Sequence, residues 1–121
     1  MTEQQNNSVK KQDWGYELIW ADANNYCGKI LVFEKQSKTP FYFHKEIEKS
    51  WFVNDGQFKV RWTDTKNGQI FESNLGAGQT FHVKKLMPHS LECVSPKGSL
   101  TEVNTGNNED DYFITISEKN F

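Results

Sequence analysis

Ser50-Trp51-Phe52-Val53-Asn54-Asp55-Gly56-Gln57-Phe58-Lys59-Val60-Arg61-Trp62-Thr63 reads as strand, turn, strand. Successive side chains of a strand leave opposite faces, so Phe58, Val60 and Trp62 face a core while Lys59, Arg61 and Thr63 face water. Between the two strands, Asn54-Asp55-Gly56 can supply the positive backbone angle of a tight hairpin turn. The segment therefore predicts an antiparallel pair with one wet side.

The same pattern extends along the chain from Trp14 onward. Short runs of aromatic and β-branched residues are separated by turn residues, as in Lys66-Asn67-Gly68, Gly76-Ala77-Gly78 and Pro96-Lys97-Gly98. Strands are predicted over Tyr16–Trp20, Lys29–Glu34, Phe41–His44, Ser50–Val53, Phe58–Thr63, Gln69–Asn74, Thr80–Val83, Ser90–Val94, Leu100–Val103 and Tyr112–Ile116. No segment of useful length has the helical period. The fold class is all-β, an antiparallel sandwich or barrel joined by hairpins. Ile30-Leu31-Val32-Phe33 is apolar on both faces, so one face lines the interior and the other packs on a further layer or a second subunit, which makes a homodimer an expectation.

Composition limits the function. The 121 residues suffice for one domain, and the nine Phe, four Trp and four Tyr suffice for its core. Formal net charge is −2 and Arg61 is the only arginine, so the clustered basic surface of a nucleic-acid binder is missing. Residues 1–13 are nearly devoid of apolar side chains and are expected to form a flexible polar leader, with the domain proper over 14–121. Neither a secretory signal nor a membrane-spanning run is evident, which makes the cytoplasm the expected location and a membrane partner unexpected. Cys27 and Cys93 stand outside any nucleophile motif and read as free thiols packed as small hydrophobes. Nothing resembles a phosphate-binding glycine loop or a serine nucleophile elbow.

Three segments together resemble the cupin superfamily, and within it the mannose-6-phosphate isomerase-like domains. They are Trp14-Gly15-Tyr16-Glu17-Leu18-Ile19-Trp20 running on to Gly28-Lys29-Ile30-Leu31; Phe43-His44 with Ser50-Trp51-Phe52-Val53-Asn54-Asp55-Gly56; and Gly78-Gln79-Thr80-Phe81-His82-Val83 with Pro88-His89. Thr101-Glu102-Val103-Asn104-Thr105, followed by Glu109-Asp110-Asp111, is a weaker echo. The resemblance implies a double-stranded β-helix, the jelly-roll barrel, as a single domain.

It also implies a site. In that family four inward side chains, His or Gln, then His, Glu and His, hold one divalent metal; here those positions fall at Tyr42, His44, Lys49 and His89. Two histidines match, making His44 and His89 the candidate ligands for zinc, nickel, iron or manganese, with Tyr42 a further candidate. Tyr42 could ligate only after losing a proton with an ordinary pKa of about 10, and the Lys49 ammonium has no lone pair. A carboxylate could reach the site from Glu46 or Glu48 only by a slipped register, which for Glu48 requires a bulge. Tyr42, Lys49, Trp51 and His82 are the expected pocket residues. Lys84-Lys85-Leu86 stands where the family has Pro, any residue and Gly, so the turn before His89 is expected to differ in shape.

From the resemblance, the expected function is binding of a small polar metabolite, a sugar or sugar phosphate, in the barrel, beside a degraded or atypical metal site. The alternative is a metal-dependent sugar isomerase or epimerase, in which a metal or the histidine pair shifts a proton.

Overall fold

A computed structural model describes residues 8–115. In chain order its strands are β1 (Ser8–Gln12), β2 (Gly15–Asp22), β3 (Cys27–Phe33), β4 (Ser37–Lys38), β5 (Tyr42–Phe43), β6 (Lys49–Asp55), β7 (Phe58–Thr63), β8 (Ile70–Leu75), β9 (Thr80–Val83), β10 (His89–Cys93), β11 (Gly98–Asn104) and β12 (Phe113–Ile114). Two antiparallel sheets face each other, one ordered β1-β2-β3-β11-β6-β9 and the other β12-β5-β10-β7-β8, with β4 also pairing β10. From β3 onward the chain crosses repeatedly between the sheets, remaining in one only through β4–β5 and β7–β8, which is jelly-roll connectivity.

Alternation puts Leu31, Phe33, Trp51, Val53 and Leu100 on the inner face of the first sheet, against Phe58, Val60, Leu75, Leu91 and Cys93 of the second. The pair expected between β6 and β7 does not form: β6 pairs with β11 and β9 and β7 with β10 and β8, because the turn between them carries the chain from one sheet to the other. That turn is made at Gly56, whose φ of 89° is left-handed and where a Cβ would meet the Gly98 Cα at 2.7 Å. Cys27 and Cys93 are free and buried; Cys93 packs in the apolar core, while Cys27 lies opposite Asn104.

The leader expected over residues 1–13 is in part a strand. Ser8–Gln12 pairs with β2 from Ser8 opposite Ile19 to Gln12 opposite Gly15. Its side chains are too polar to signal burial, but its backbone groups are satisfied by the neighbouring strand. The turn that follows is pinned by Trp14, which stacks on Phe33 with centroids 4.3 Å apart. Residues 1–7 and Ile116 at the end of the last predicted strand lie outside the described residues. Two-residue β4 also carried no pattern of its own.

The outer face of the first sheet, expected from Ile30 and Val32 to meet a further layer or subunit, exposes Trp20, Phe52 and Val103. Trp20 lies over Gly28, where a Cβ would fall 2.4 Å from its ring. Among the described residues no helix is long and apolar enough to cross a membrane.

Candidate functional site

Toward one end of the barrel the inner face of the first sheet changes from apolar to polar. Leu31, Leu100 and Val53 lie side by side on β3, β11 and β6; the next row is Lys29, Glu102 and Trp51, and the row beyond it Cys27, Asn104 and Lys49. Tyr42 of β5 faces this grid beside His89 of β10, its partner in register, and His44 follows where the chain leaves β5. A cavity of about 440 Å³ opens here, lined by Trp14, Tyr42, His44, Lys49, Glu102 and Tyr112 among others. That volume suits a small metabolite.

Lys49 organises the inner end. It is only 4% exposed, and its Nζ donates to Tyr42 Oη at 2.9 Å and to His44 Nε2 at 3.1 Å. The ammonium also lies over the Tyr42 and Trp51 rings, 4.7 and 4.9 Å from their centroids. Burial lowers its pKa to about 8, and the nearby Glu102 carboxylate opposes the fall. Glu102 is itself 6% exposed and accepts from Trp51 Nε1 and Asn104 Nδ2, both at 2.8 Å. Burial works to raise its pKa, but the charges of Lys49 and Lys29 and these bonds prevail and hold it below the usual carboxylate value. Lys29 in turn pairs with Glu17 at 3.1 Å. Charges therefore alternate across the wall: Glu17, Lys29, Glu102, Lys49.

The two histidines share a tautomer. His44 Nδ1–H donates to the Asp111 carbonyl oxygen and His89 Nδ1–H to that of Met87, leaving each Nε2 with its lone pair. Their ring centroids are 6.0 Å apart, with Tyr42 packed against both. Burial, then the Lys49 charge, lowers both pKa values, that of His89 strongly, so both rings are neutral at neutral pH. His89 is fully buried and its Nε2 has no hydrogen-bond partner. The His44 loop is held by Asp111, whose carboxylate accepts from the backbone N–H groups of Lys45, Glu46 and Ile47 at 2.7, 2.9 and 3.0 Å.

These side chains do not fit a divalent metal. His89 Nε2 is unpartnered, but His89 does not line the cavity, His44 Nε2 is engaged by a cation, and burial pushes the Tyr42 phenol far above its ordinary pKa. No carboxylate comes from the preceding loop: Glu46 is exposed, and Glu48 lies outside, 3.7 Å from His82. Among the described residues no three His, Cys, Asp or Glu side chains are grouped to hold a metal.

Two expected pocket residues lie elsewhere. His82 is on the outer face of β9, bonded to Ser50 Oγ at 2.9 Å, because its neighbours Phe81 and Val83 take the inward positions. Trp51 is core, 1% exposed, and reaches the site only as support for Lys49 and Glu102. The turn before His89 is closed by Leu86 at a φ of 60°, its N–H donating to the His44 carbonyl at 2.7 Å. Glu102, Asn104, Lys29, Tyr112 and Trp14 were missed as site residues. The one sequence signal, for Glu102 and Asn104, was the inward alternation Leu100, Glu102, Asn104, in which apolar gives way to polar.

No protein-family model matches the chain, and no curated protein sequence does. Solved structures do match. The capsular polysaccharide assembling protein CapF of Staphylococcus aureus superposes with a TM-score of 0.82 at 9% identity, over 94% of this chain and 34% of that one. Oxalate decarboxylase of Bacillus subtilis gives 0.77 at 17%, over 89% and 30%. KdgF of Halomonas sp. gives 0.72 at 14%, over 85% and 89%. This chain shares their fold, the cupin-type double-stranded β-helix. It spans about a third of the length of the CapF and oxalate decarboxylase chains.

Proposed function

We propose that the barrel binds a small polar metabolite of monosaccharide size, a sugar or sugar phosphate, without a metal. The observation that carries the reading is the buried polar grid of Lys29, Glu102, Asn104 and Lys49 on the wall of an otherwise apolar barrel, facing a cavity of about 440 Å³. Buried charge is expensive and is kept where it serves a ligand or fixes a structure. Trp14 and Tyr112 add apolar ring surface beside the polar groups, the mixture that a sugar's faces and hydroxyls require. The carbohydrate association of CapF and the resemblance to mannose-6-phosphate isomerase-like domains support the same ligand class.

The second reading is a metal-dependent sugar isomerase or epimerase, and the unpartnered Nε2 of His89 is what favours it. It lacks a carboxylate ligand and must displace Lys49 from His44.

Calorimetric titration of the full chain with glucose, glucuronate and glucose 6-phosphate, in the presence of a chelator, tests the proposal. Binding of any one in the micromolar to millimolar range supports it, whereas binding that appears only on adding a divalent metal supports the second reading.

A further inference from the structure

We infer that Lys49 and Tyr42 form an anion-recognition subsite at the inner end of the cavity, so that the ligand carries a carboxylate or phosphate group and is held there by a protein ammonium. The inference rests on the proposed small-metabolite site and specifies its ligand.

The first support is donor supply. An ammonium has three N–H donors, and Lys49 uses two, on Tyr42 Oη and His44 Nε2. Tyr42 accepts from Lys49, which leaves its own O–H to donate. Two atoms 2.9 Å apart therefore offer one donor each, on a wall of the cavity. An anionic oxygen accepts both, and bonds of this kind are the stronger when one partner is charged.

The second support is charge. Lys10 pairs with Glu109 at 2.6 Å and Lys29 with Glu17 at 3.1 Å. Asp111 is committed to three backbone N–H groups and Glu102 to Trp51 and Asn104. Lys49 differs from Lys10 and Lys29: no carboxylate is in ion-pair contact with it among the described residues, and Glu102 acts on it only through its field. A buried cation with only neutral partners gains most from an incoming anion.

The experiment is a titration of the parent, Lys49→Met and Tyr42→Phe chains with glucose, glucuronate and glucose 6-phosphate under chelation. Lys49→Met removes a buried charge, so the variant is expected to fold. The parent should bind one of the two anions at least tenfold more tightly than glucose. Glucuronate preference identifies a carboxylate and glucose 6-phosphate preference a phosphate. Lys49→Met should reduce that anion to the glucose level, and Tyr42→Phe should weaken it severalfold. Equal affinity for all three probes, or an anion preference that survives Lys49→Met, overturns the inference. If none of the three binds, the monosaccharide reading fails. Acetate and inorganic phosphate then decide the subsite alone: a rise in Tm abolished by Lys49→Met upholds it, and no rise overturns it.

Discussion

Lys49 Nζ lies 3.1 Å from His44 Nε2, so the ring nitrogen that could bind a metal is instead the acceptor for a protein ammonium. A divalent cation and this ammonium cannot share the cavity, since unit charges about 4 Å apart repel by about 4 kcal/mol at an effective dielectric of 20. The consequences of this single contact can be measured.

Lys49→Glu should create a metal site. It removes the cation, frees His44 Nε2 and places a carboxylate beside the unpartnered Nε2 of His89. Nickel or zinc should bind the variant at least tenfold more tightly than the parent, a change needing only about 1.4 kcal/mol. Calorimetry at neutral pH gives the comparison, and equal affinities would show that position 49 does not govern the site.

The same lysine sets a pH dependence of stability. Its pKa is about 8 when folded, against an ordinary 10.5, so between these values the unfolded chain holds more protons than the native one. Stability must then rise with pH across that window, by up to about 3 kcal/mol from this group, and the penalty is fully present below pH 8. Other groups titrate there too, so the quantity to measure is the difference between the parent and Lys49→Met in urea unfolding at pH 7 and pH 10. The advantage of the methionine variant should be largest at pH 7 and shrink toward pH 10.

Asp111→Ala should loosen the loop that carries His44. Three backbone donors at residues 45–47 lose their acceptor, and Ile47 is buried. A loss of about 3 kcal/mol in urea unfolding is expected, since bonds to a charged group contribute about 1.5–3 kcal/mol each and water can replace those at the exposed residues.

Leu86 stands in left-handed backbone, at a φ of 60°. Leu86→Gly should relieve about 1 kcal/mol of strain, offset in part by the freer unfolded chain, while Leu86→Val should lower Tm by several degrees. Calorimetric scans of the two variants should diverge in that order.

The fold was legible because its strands are written in alternation: Phe58, Val60 and Trp62 are inward as their spacing requires, and Gly56, Gly68 and Gly78 turn the chain with positive φ. Which strands pair was not, since the turn at Gly56 joins two sheets and not two neighbours in one. β1 was not legible, since Ser8–Gln12 is held by backbone pairing and leaves no apolar trace. The site was legible where the chain resembles a known motif, at Tyr42, His44, Lys49 and His89, which the structure brings together in one end of the barrel. Glu102 was not, because a charge in an alternating strand reads as solvent-facing until the partners across the sheet are known; here they are Lys29 and Trp51. His82 misled for the converse reason: its neighbours on β9 take the inward positions.

The central claim is that the resident cation of this barrel is Lys49 and not a metal, and the metal content of the chain purified without added metal tests it most directly. Less than about 0.1 equivalent of zinc, nickel, iron, manganese or copper per chain is expected, because a site short of ligands and already holding a cation does not retain one. Close to one equivalent, surviving dialysis, would contradict it.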